Sequence, residues 1–166
     1  MEIKNKVAES GIITLNLEDF FSKEEVILFD IKDHLFMEMI LKEKDFREAL
    51  KTLDWEKYRG RNVGIVCSAD AIIPQWAYML ITTYLFGVAR FVAVGDADEI
   101  KKRLLLKEIN TLNTDDYKDT RVVIKGCGDM QISDYAYAEI TRVLLPVAKS
   151  IMYGEPCSTV PVYKKK

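Results

Sequence analysis

The sequence predicts an α/β protein: a doubly wound, mostly parallel sheet built from two duplicated βαβ units, with an N-terminal β-ribbon and helix. Three observations carry this expectation. Residues 52–95 recur as residues 111–154, because a shift of 59 positions matches fifteen of 44 residues without a gap. The matches run from Thr52, Leu53, Tyr58, Val63 and Ile65 on Thr111, Leu112, Tyr117, Val122 and Ile124 to Gly95 on Gly154. Each copy opens with a short apolar run, Val63-Gly-Ile-Val-Cys67 or Val122-Val-Ile-Lys-Gly-Cys127, of the kind that forms a strand buried on both faces. A charged, amphipathic stretch over residues 98–112 joins the copies as a helix.

Taken in order, residues 12–20 begin with the alternation of a strand and residues 25–31 read as a second. The two are close enough to pair as an antiparallel ribbon around residues 22–24, although no Gly or Asn fixes a tight turn there. Residues 41–53 follow as a helix with Phe46, Leu50 and Leu53 on one face, and Trp55 and Tyr58 cover the passage into the first repeated strand. In each copy a loop with an aspartate, Asp70 or Asp129, precedes a helix. Pro74 suits the first turn of the first helix, and Ser133 holds the same slot as an N-cap in the second. The helices over 76–88 and 135–147 lead to strands over 90–95 and 149–154. Right-handed crossovers would set the two leading strands side by side, and their carboxyl ends would meet at a topological switch point, where ligands of open α/β sheets bind.

The chain has 166 residues, 49% apolar and 30% charged, with a net charge of −2. That is room for one domain with a sizeable core, and no basic field points to nucleic acid. Residues 71–89 carry no charge over 19 positions, but the matching helix of the second copy holds Glu139 and Arg142. A slot that accepts those charges is a helix packed on a sheet and not a membrane span. Residues 1–11 carry charges and no apolar stretch, which argues against a signal peptide. Three cysteines make an odd number without the density of a disulfide scaffold, so the expected compartment is the cytoplasm.

Chemistry is expected at the shared edge. Cys67 and Cys127 end the two leading strands, and Cys157 follows the last strand. Three thiolates, with Asp70 or Asp129 as a fourth ligand or behind the ligands, suit zinc or an iron–sulfur cluster with one open site. The spacing has no C-x-x-C pair. Gly126 and Gly128 could form an anion-binding nest, with Lys125 supplying positive charge or pointing to solvent. Both aspartates are expected to cap or brace the loops ahead of their helices. Pro156 and Pro161 stiffen the tail, which is expected to fold back over the switch point as a lid and carry Cys157 to the other two thiols. His34, the single histidine, lacks partners at metal spacing and reads as incidental.

The runs Cys67-Ser-Ala-Asp-Ala-Ile-Ile-Pro74, Lys125-Gly-Cys127, Lys149–Pro161 and the opening Val7-Ala-Glu-Ser-Gly-Ile-Ile-Thr-Leu-Asn-Leu17 resemble a bacterial family, domain of unknown function 2480, over nearly the whole chain. The resemblance implies no assigned reaction. It associates the chain with sulfur-mobilisation and iron–sulfur assembly proteins as partners. Three readings stand open: a metal or iron–sulfur protein, a thiol enzyme or sulfur carrier with one nucleophilic cysteine, and a non-catalytic scaffold with cysteines as core filler. The first fifty residues could extend the sheet, cover a face or form a homodimer contact.

Overall fold

Short β-branched runs and amphipathic stretches alternate along the chain as mixed α/β structure. The structure, a computed structural model, describes residues 11–126, 128, 131–155 and 157–166. The elements are β1 (Ile12–Asn16), β2 (Val26–Asp30), α1 (Glu43–Thr52), β3 (Asn62–Val66), α2 (Gln75–Leu85), β4 (Phe91–Val94), α3 (Ala97–Asn110), β5 (Arg121–Lys125), α4 (Asp134–Leu144), β6 (Ser150–Glu155) and β7 (Ser158–Lys164). Single 3-10 turns follow β1 and β2 and precede β3 and β5.

These elements form two compact units, one of Lys23–Arg103 and one of the residues up to Ser22 with Leu104–Lys166. The first holds a parallel three-stranded sheet in the order β2–β3–β4. On one side of it Val63 and Ile65 are buried with Phe46 and Leu50 of α1 and Ala77, Ile81 and Leu85 of α2. The second holds a four-stranded sheet, β1–β5–β6–β7, in which only β7 is antiparallel. Val122 and Ile124 are buried there with Leu105 and Ile109 of α3 and Ala136, Ile140 and Leu144 of α4. Seven pairs of these core positions, from Phe46/Leu105 to Leu85/Leu144, lie 59 residues apart, as do the starts of β3 and β5 and of α2 and α4.

The expectation of mixed α/β structure with mostly parallel pairing holds, and the arrangement of the strands is different. β3 and β5 are not neighbours in one sheet: β3 lies between β2 and β4, and β5 between β1 and β6. Strand order in each sheet follows the chain without reversal, so neither sheet contains a switch point of the doubly wound kind. The N-terminal ribbon is also overturned. β1 and β2 join different sheets, each running parallel to the central strand of its unit. A strand buried on both faces needs partners along both edges. The two N-terminal strands meet that need separately, where a ribbon would have met it for neither.

The tail is not a lid. β7 pairs with the outer edge of β6, from Glu155 opposite Ser158 to Ser150 opposite Lys164. The register slips between Ile151, which faces Tyr163, and Met152, which faces Pro161. Pro161 is tolerated because an edge strand at a bulge does not need every N–H for its ladder.

Candidate functional site

At the carboxyl end of β3 the chain turns out of the sheet at Cys67 and Ser68. The thiol of Cys67 is half-buried among the side chains packed on the first core and donates to the carbonyl of Ala69 at 3.6 Å. Asp30, at the end of β2, holds this loop. Its Oδ1 accepts from the backbone N–H of Ser68 at 3.0 Å and from that of Lys32 at 3.0 Å, and Oδ2 accepts the Ser68 hydroxyl. Partial burial opposes ionisation of Asp30, and the bonds from Ser68 and Lys32 outweigh it, so the carboxyl stays below its ordinary value. Sequence reasoning missed Asp30. Its only signal was an Asp ending an apolar run, the position from which a side chain reaches the next turn's N–H.

Asp70 does not brace the loop. It is exposed, and among the described residues it takes no hydrogen bond; α2 starts at Pro74 without a side-chain cap. Ser133 does stand at the N-cap of α4, but its hydroxyl makes no cap bond either. Asp129 and Cys127 lie outside the described residues. His34 is half-buried, stacked on Phe29 with ring centroids 5.2 Å apart and edge-on to Phe46. Burial lowers its pKa, which suits the incidental packing role expected for it.

In the other unit Lys125 Nζ lies 3.3 Å from the Glu155 carboxylate, so its charge is matched within the chain. Gly126 is buried, and a Cβ there would come within 2.5 Å of Ile132 and of the Tyr137 hydroxyl. A Cβ on Gly128 would collide with the Glu18 carboxylate, so the chain's own carboxylate fills the space beside that glycine. Cys157 is exposed in the turn between β6 and β7, and its thiol is free, as is that of Cys67. The sheet edge that would have gathered the thiols does not exist, since Cys67 and Cys157 belong to different units. Among the described residues no three His, Cys, Asp or Glu side chains are placed to hold a metal ion, and the described donors do not make a zinc or cluster shell.

Among the described residues, a cleft that can receive a ligand lies elsewhere. It measures about 430 Å³ and opens between α4 and the strands β6 and β7. Tyr137, Leu145, Met152, Tyr153 and Val162 supply apolar walls, and Arg142 stands among the lining residues. Tyr137 meets Tyr153 edge-on at 5.6 Å. Arg142 is oriented by Glu139, at 2.7 Å, and by Asn110 Oδ1, at 2.6 Å. The Arg142 and Asn110 hydrogen bonds hold the Glu139 carboxyl down at about 2, so the pair is ionised at neutral pH. The cleft was not legible in the sequence, because Val162 reaches it only through the β6–β7 hairpin.

Two short, mostly parallel-sheet units and an apolar cleft define a mixed α/β protein. Among the described residues no helix is long and apolar enough to cross a membrane. The chain belongs to the family described as Protein of unknown function (DUF2480), whose model matches residues 1–165. No curated protein and no solved structure matches it.

Proposed function

We propose that the chain is a non-catalytic binding protein, built by duplication of one α/β unit, which takes an apolar, anionic molecule in the cleft between α4, β6 and β7. The observation that carries this reading is the cleft itself. At about 430 Å³ it falls in the range of small-molecule sites, roughly 300–1,000 Å³, which are mostly apolar with a few placed polar groups. Arg142 is the polar group here: Glu139 and Asn110 hold its Nε and Nη2, and the reading assigns the rest of its planar guanidinium to a carboxylate or sulfonate. The aromatic pair and Met152 suit an acyl chain or a ring.

The test is titration with 1-anilinonaphthalene-8-sulfonate, an apolar anion. Saturable enhancement with one site is expected in the wild type. Ala138, exposed on α4 and lining the cleft, offers a plug: Ala138→Trp should abolish the enhancement with the circular dichroism spectrum unchanged. Enhancement of equal size in the plugged variant would sink the reading. The three-thiolate reading depends on Cys127 and keeps its own measurement. Metal content near one zinc or several irons per chain, in protein purified without air, would revive it over the scaffold.

A further inference from the structure

The two units differ at one edge. In the C-terminal unit the outer edge of β6 is covered by β7. In the unit Lys23–Arg103 the matching strand, β4, is the last of its sheet. Within the strand the amide of Phe91 bonds inward to the Arg61 carbonyl and that of Gly95, just past its end, to the Ile65 carbonyl. Alternation along the strand then turns the N–H and C=O of Val92 and Val94 outward, and among the described residues no backbone group meets them.

The side chains beside that edge are exposed to match. Phe86 is 86% exposed and Met79 68%, while Leu145, 59 positions after Phe86 and beside β7, is 40% exposed. A shallow cleft of about 280 Å³, lined by Thr82, Phe86 and Val92 among others, lies along this edge of β4. Edge strands of soluble proteins are normally guarded by Lys, Pro or a bulge. β7 has Pro161, Lys164 and a bulge. β4, Phe-Val-Ala-Val, has none of these devices.

We propose that β4 pairs antiparallel with β4 of a second copy of the chain, so that two three-stranded sheets become one continuous sheet. The two-fold register with Val92 opposite Val94 of the second copy makes both outward residues hydrogen-bonded pairs. The same register sets Arg90, which also pairs with Glu24 of its own chain, opposite Asp96 of the second copy and places no like charges across the joint. Val94, Phe86 and Met79 of each copy then cover one another on the helix side of the joined sheet. The contact is isologous and therefore closes at two copies.

Sedimentation and light scattering across the micromolar range test this, with Val94→Lys and Val94→Pro as edge blocks. Proline at that outward N–H leaves the strand's own ladder intact. The wild type should weigh twice the 19.1 kDa of the chain, and each variant should weigh one chain with its spectrum retained. Hydrogen exchange on the wild type supplies an arm free of any folding defect: the Val92 and Val94 amides should slow as concentration rises. A wild-type monomer overturns the proposal. So does a dimer that survives both substitutions, or protection of these amides that is independent of concentration, which would mean cover from within the chain.

Discussion

Asp30 and Asp70 show at the level of single residues how position outranks residue type. Asp70 sits in the loop before α2, where a carboxylate would be expected to cap, yet it is exposed and bonds to nothing described. Asp30 comes from the neighbouring strand and takes two hydrogen bonds from Ser68 of that loop and a third from Lys32 in its own turn. Asp30→Ala should therefore cost about 1 kcal/mol, the value of a lost cap, whereas Asp70→Ala should stay within about 0.5 kcal/mol of wild type. Thermal melting of the two variants side by side checks this, and equal shifts would contradict it. The Asp30 contribution also has a pH signature. Its folded pKa lies below the ordinary 3.8, so the stabilisation is complete above that value and fades as pH falls through the folded value. Asp30→Asn should lose the acid-side part of that dependence.

Among the elements, β3 and β4 are set by a close backbone approach. A Cβ on Gly64 would lie 2.5 Å from the Gly95 carbonyl oxygen, 2.9 Å from Leu28 and 3.0 Å from Ile100. The nearest of these is main chain and cannot swing away. Gly64→Ala is expected to cost about 1–3 kcal/mol through overpacking, read as a lower denaturant midpoint at constant slope. An unchanged midpoint would mean that β4 moves freely on β3. The repeat placed these elements well: α2 and α4 both end at the leucines, Leu85 and Leu144, that the 59-residue shift pairs. It could not say which strand lies beside which, because register arithmetic along a chain carries no information about edges.

At the level of the whole molecule, the two buried clusters share no residue. Both tryptophans, Trp55 and Trp76, pack against the cluster of the unit Lys23–Arg103, and Trp55 stacks on Tyr84 at 4.9 Å. Tryptophan fluorescence therefore reports on that unit, while far-ultraviolet circular dichroism reports on both. Ile140 is fully buried in the other cluster, and Ile140→Ala should cost about 2–5 kcal/mol there. The expected result is that the dichroism transition moves to lower urea while the fluorescence transition stays near its wild-type midpoint. Transitions that move together would show one cooperative unit.

What the sequence determined alone was everything that depends on neighbours along the chain. Short β-branched runs became strands, the stretches after Pro74 and Ser133 became helices, and the positions of the buried side chains recurred at one offset. Those features follow from local periodicity, which a burial pattern of two or 3.6 residues imposes directly. The tertiary structure decided what depends on partners distant in sequence. It sent β1 and β2 to separate sheets, made β7 an edge strand and not a lid, and left Cys67 and Cys157 without a common edge. The physical reason is that a strand's hydrogen-bonding edges look alike in sequence whichever strand they will meet. Only the satisfaction of both edges at once, across the whole chain, chooses the partner.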